Sequence, residues 1–205
     1  MKMFPIKLQA ILLLLTLGCE LSAMDFSIHP NNSPNLNAIL AAGQIRSGDA
    51  QKLEQLLISL PQKKNTAIYL ASPGGSLIEG MDLGMMFRKH LVKTGVEGGE
   101  ICASACAMAF LGGTDKNGNP WRSSSDNSEL GFHAFHNNSR ALTSDEVQEI
   151  VGIMLIYARE VEAPLETLMA AFLTPSDDMY YLSESEICSL GIKLWSNKYD
   201  KFLCQ

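Results

Sequence analysis

Apolar and polar positions change period several times along the chain, and each change marks an element. Between residues 50 and 60, Leu53, Leu56, Leu57 and Leu60 recur at helical spacing, which predicts an amphipathic helix ended by Pro61. Residues 67–71 are a short apolar run suited to a buried strand, and Ser72-Pro73-Gly74-Gly75 then turns into a periodic segment over 77–87. Arg88, Lys89 and His90 close that helix, where cations complement the negative end of its dipole. A second unit repeats the plan, with a short strand ending at Ile101, a tight turn around Ser104 and an apolar helix over 105–111. Residues 130–136 read as a strand carrying histidine at its end. Val147, Ile150, Val151, Met154, Leu155 and Ala158 share one face of a helix over 143–163. Thr143-Ser144-Asp145-Glu146 opens that helix, Pro164 breaks it, and a short helix over 165–173 follows. Residues 25–37, rich in Asn, Ser and Pro, read as an irregular lead-in, 38–45 as the first strand, and 115–127 as a polar loop. Strands alternating with amphipathic helices predict a single α/β domain of repeated strand-helix units, with ligand sites at the carboxyl ends of strands.

Length and composition agree with one domain: 205 residues, 46% of them hydrophobic and 19% charged. Residues 1–23 stand apart. Lys2 and Lys7 precede an apolar run over 11–17, too short to span a membrane, and Leu21-Ser22-Ala23 offers a small residue for cleavage. A secretory signal peptide over 1–23 and a domain over 24–205 are expected. Thr16-Leu17-Gly18-Cys19 approximates a lipoprotein box, so a lipid anchor at Cys19 is the competing outcome. Cleavage after Ala23 removes two lysines and one glutamate from 16 basic and 22 acidic residues, leaving 14 and 21 and a formal charge of −7. That balance argues against a nucleic-acid partner.

The chemistry concentrates around Ser104. Alanines flank it, so the strand-to-helix turn can close tightly and present the hydroxyl at a helix N-terminus, where free N–H groups favour negative charge. An acyl-transfer nucleophile needs that setting, and a plain N-cap serine fits it too. Gly74-Gly75 lets backbone approach a ligand and aim an N–H at it. His133 follows Ser104 by 29 residues and is the candidate general base. His133 and His136 form H-x-x-H, but with no third ligand nearby a base is preferred to a metal site. Cys102, Cys106, Cys188 and Cys204 allow three full pairings. A Cys188–Cys204 bond would staple the C-terminal tail to the last helix, while Cys102 and Cys106 read either as a local bridge or as small buried residues.

S-P-G-G-S, a serine between small residues, a strand ending in histidine, and L-S-x-x-E-x-x-x-x-G from Leu182 to Gly191 together resemble the Clp protease proteolytic subunit and its periplasmic ClpP-like relatives. These belong to the wider ClpP/crotonase fold, and the resemblance runs from about Asn37 to about Leu194. It implies Ser104 as nucleophile, His133 as base, and an oxyanion hole from the backbone N–H groups of Gly75 and Ala105. The family's aspartate falls at Met179, with Asp177 and Asp178 out of register. The resemblance implies an exported, ATP-independent peptidase acting on peptides or proteins, with a homo-oligomer among its possible states and with no metal or organic cofactor. A non-catalytic binding or scaffold protein on the same fold is the alternative.

Overall fold

The computed structural model describes residues 23–61, 64–137 and 140–205. In chain order the elements begin with β1 (Asp25–Ile28), β2 (Leu36–Ala42), α1 (Asp49–Ser59), β3 (Asn65–Ala71) and α2 (Leu77–Lys89). Then come β4 (Val92–Val96), β5 (Ile101–Ala103), α3 (Ala105–Phe110), β6 (Arg122–Ser125) and β7 (Glu129–Phe132). The chain continues through α4 (Ser144–Glu160), α5 (Leu165–Leu173), β8 (Tyr180–Tyr181), α6 (Glu184–Ser189), β9 (Lys193–Ser196) and β10 (Lys201–Cys204).

They form one mixed α/β domain with two sheets. The larger has the order β1-β2-β3-β4-β6-β9-β10. Its five middle strands are parallel, and an antiparallel strand closes each edge. Ile39, Ile68 and Leu70 of this sheet share a buried core with Leu53 of α1 and with Leu83 and Phe87 of α2. The smaller sheet has β7 between β5, which is parallel to it, and β8, which is antiparallel. Ser72, just past β3, joins the two sheets: its N–H donates to the Ile101 carbonyl at 2.7 Å, and its own carbonyl accepts from Ala103 N–H at 3.0 Å. That junction brings the turn after β3 against the turn after β5.

The expected helices over 50–60, 77–87, 105–111, 143–163 and 165–173 are present as α1 to α5, within a few residues at each end. Four expectations need correction. Residues 25–28 are a strand, because the Asn- and Pro-rich stretch after them folds back as a hairpin, with Asn32 N–H donating to the His29 carbonyl at 2.9 Å. The strand expected over 38–45 runs from Leu36 to Ala42 and stops at Gly43, whose φ is 106°. The strand expected to end at Ile101 instead begins there, paired in register with Glu129 to Gly131. The loop expected over 115–127 contains β6, a serine-rich strand held between β4 and β9. Trp121 lies beneath two ammonium groups, those of Lys93 at 3.9 Å and Lys193 at 4.6 Å from its ring centre.

Arg122 fixes the far end of this frame. Its buried guanidinium donates to the Leu111 carbonyl at 2.8 Å, beyond α3, and to the carbonyls of Val161 and Glu162, beyond α4. Those carbonyls lack partners within their helices, so one cation satisfies two helix ends. Desolvation lowers its pKa to about 10. Cys188 and Cys204 are bonded, joining α6 to β10 as expected. Residues 1–22 of the expected leader, including Cys19, lie outside the described residues. Among those described, no helix is long and apolar enough to cross a membrane.

Candidate active site

Ser104 occupies the single residue between β5 and α3, with φ 58° and ψ −123°. An L-residue rarely adopts that conformation, and holding it costs on the order of 1–3 kcal/mol. The hydroxyl makes no capping hydrogen bond to α3, so the plain N-cap reading does not describe it. It lies 2.7 Å from Nε2 of His133. The Ser104 N–H donates to the Gly131 carbonyl at 2.9 Å, which ties the serine turn to the strand that carries the histidine. β7 ends at Phe132, and His133 is the first residue beyond it rather than the last within it.

On its other side the imidazole meets backbone. Nδ1 of His133 is 3.1 Å from the Ser176 carbonyl oxygen, an acceptor only, so Nδ1 carries a proton, and in the neutral ring Nε2 is left to accept from the serine hydroxyl. The Asp178 carboxylate accepts from the N–H of Met179 at 2.8 Å. Met179 packs over Gly131: a side chain on that glycine would come within 2.9 Å of the Met179 Cγ and sulfur. A thioether therefore sits beside β7. Ser176 carried no sequence signal, because a carbonyl is common to every residue.

Two glycines set the other wall. Gly74, at φ +102°, lies so close to the serine turn that a Cβ would be 2.7 Å from the Ala103 carbonyl and 2.8 Å from the Ser104 Cβ. Gly75, at φ +146°, would drive a Cβ to 2.1 Å from the Ile45 carbonyl. Ile45 N–H donates to the Gly74 carbonyl and Ser76 N–H to the Ile45 carbonyl, so the turn is held on both sides of Gly75. The N–H groups of Gly75 and Ala105 have no acceptor among the described residues. For Ala105 this follows from its place as the first residue of α3.

α3 is short and buried, and its neighbours hold it. Gly80 and Gly84 allow α2 to approach closely; a Cβ on Gly80 would meet the Ala105 carbonyl at 2.4 Å. The space at Gly84 admits the Tyr157 hydroxyl, which donates to the Met108 carbonyl at 2.6 Å. Burial pushes the Tyr157 pKa up, so the hydroxyl keeps its proton and remains a donor. Neither Tyr157 nor Arg122 was singled out from sequence. Tyr157 lies on the helix expected over 143–163 but outside the apolar face read there, and Arg122 lies in a segment that reads as loop.

A cleft of about 180 Å³ opens above the pair, lined by Gly75, Leu77, Ser104, Met108, His133 and Met154, among others. Phe135 and His136 separate it from a wider groove of about 490 Å³ that includes Val147, Val151 and Phe172. The His133 and His136 ring centres are 6.1 Å apart, and no group of three or more potential metal ligands occurs among the described residues. The arrangement can deliver a serine oxygen, freed of its proton by a neutral imidazole, to a carbonyl lodged beside unpaired N–H groups. No protein-family model matches the chain, and no curated protein matches its sequence.

Proposed function

We propose that this chain is an exported, ATP-independent serine hydrolase, a peptidase with a ClpP/crotonase-like fold, working in the periplasm on peptide or protein substrates. The observation that carries the reading is the 2.7 Å contact between Ser104 Oγ and His133 Nε2, made by a serine held at φ 58° in an open cleft. Backbone strain concentrated at a single polar residue facing a base is the arrangement of a nucleophile elbow. Two disulfides are compatible with an exported protein.

In this reading Ser104 attacks the scissile carbonyl carbon as its proton passes to His133 Nε2. The oxygen of the tetrahedral intermediate takes the N–H groups of Gly75 and Ala105, and the imidazolium returns the proton to the leaving amine. Water then repeats the sequence on the acyl-enzyme. The Ser176 carbonyl holds the productive tautomer, as a triad carboxylate does, but offers the imidazolium a dipole in place of a full charge.

That substitution is also what favours a second reading, a binding or scaffold protein that has kept the fold. A fluorophosphonate probe separates the two. The hydrolase is covalently labelled at Ser104 and the Ser104→Ala variant is not; absence of labelling in the wild-type protein removes the enzymatic reading.

A further inference from the structure

Cys102 and Cys106 are bonded to each other across Ser104, and both are fully buried. We propose that this bridge is a clamp whose two cysteines position Ser104, so that hydrolysis is switched on only when their thiols have been oxidised. The inference rests on the reading of Ser104 as nucleophile.

Four peptide units, fully extended, reach about 13–14 Å. The bridge holds the Cα atoms of Cys102 and Cys106 at 5.1 Å, with Ser104 at the apex of the closed ring. Only folded-back turns remain open to the serine, and the strained one at φ 58° is among them. Neighbours hold the turn from outside through the Gly131 carbonyl and Gly74, but α3 itself supplies little of that restraint. α3 has six residues, too few to sustain its own first turn, and Ser104 contributes no side-chain cap to it. The clamp is also out of reach of solvent, whereas Cys188 and Cys204 are each partly exposed. Once made, it persists in the folded protein.

Formation needs an acceptor of two electrons, and a disulfide-donating oxidant of the thioredoxin-like dithiol class supplies it. One cysteine thiolate attacks a sulfur of the oxidant's disulfide to give a mixed disulfide. The other cysteine displaces it, forming the Cys102–Cys106 bond and releasing the oxidant as a dithiol that has gained two electrons and two protons. In a reducing compartment the two thiols stay free, Ser104 relaxes, and the chain is kept from hydrolysing its surroundings before export.

The test compares wild type, Cys106→Ser, Cys102→Val/Cys106→Ala and the control Cys188→Ser/Cys204→Ser. Measured are kcat and KM on a peptide ester, the rate of fluorophosphonate labelling, the melting temperature, and amide hydrogen exchange over residues 103–106. Both bridge variants should stay folded, lose about 10- to 100-fold in kcat and labelling rate, the scale of a strained backbone allowed to relax, and keep KM within about twofold. Their 103–106 amides should exchange faster, and the control should match wild type in kcat. Cys106→Ser, a one-atom change, stands in where the double variant does not fold. Wild-type kcat in the bridge variants overturns the clamp. A wild-type protein that neither labels nor hydrolyses defeats the nucleophile reading instead, and unchanged exchange over 103–106 then overturns the clamp on its own.

Discussion

His133 touches one side chain that matters to the proposed chemistry and one backbone carbonyl, and each contact makes a distinct prediction. Because Ser104 and His133 share a single proton, their effects should not add. Ser104→Ala and His133→Ala are each expected to lower hydrolysis of short peptide esters by about 10⁴-fold or more, and the double variant to lose little beyond that. Asp178→Asn should stay within about twofold of wild type, the scale of a surface change, since its carboxylate is held by the Met179 N–H. An Asp178→Asn loss as large as that of Ser104→Ala would mean that the segment after Pro175 rearranges around substrate. Gly74→Ala is expected to destabilise by about 2 kcal/mol or more, because a Cβ at φ +102° meets backbone of the serine turn. The shift in urea midpoint measures it, and a wild-type midpoint would show that the two turns can separate.

At the scale of elements, capping sets where helices begin, and one cap titrates. The Thr143 hydroxyl accepts from Glu146 N–H at 3.3 Å while the Glu146 carboxylate accepts from Thr143 N–H at 2.8 Å. The Arg140 guanidinium, followed by the Thr143 groups, holds the Glu146 pKa down to about 2 from 4.5. A carboxyl depressed in the folded state stabilises above its unfolded pKa, and that contribution is lost as pH falls. The difference in melting temperature between wild type and Glu146→Gln should therefore be constant above about pH 5 and shrink between pH 4.5 and pH 2. A difference that persists undiminished at pH 2 would show that the charge plays no part in the cap.

Across the whole molecule, two cross-braces hold layers that local sequence does not join. Arg122→Met removes the donors to the carbonyls of Leu111, Val161 and Glu162 and is expected to cost about 3 kcal/mol in chemical denaturation. A variant as stable as wild type would mean that water reaches both helix ends. Cys188 and Cys204 close a loop with a sequence separation of 16, and opening it is expected to cost about 3 kcal/mol. Neither cysteine should take up an alkylating reagent in denaturant without prior reduction; modification of both would show that the bond is absent.

The local pattern determined much of this protein. Helical spacing of leucines and β-like apolar runs placed α1 to α5 and β3, since burying one face is a property each segment carries by itself. Small residues around Ser104 and the glycine pair after β3 marked both turns, because turn chemistry is also local. The strands β1 and β6 were not legible: one is mostly exposed and the other is Arg-Ser-Ser-Ser, and each is a strand only because a neighbour completes its hydrogen bonds. Likewise the sequence pointed to His133 and to a Cys188–Cys204 bond, but whether Cys102 joins Cys106 and what orients the His133 ring were left to tertiary structure. Cys102 finds Cys106 at the serine turn, and His133 finds the Ser176 carbonyl, with Met179 packed over Gly131. Those are meetings between segments up to 43 residues apart, and a distance that long is set by the packing of sheets and helices, which no periodicity within a segment can express.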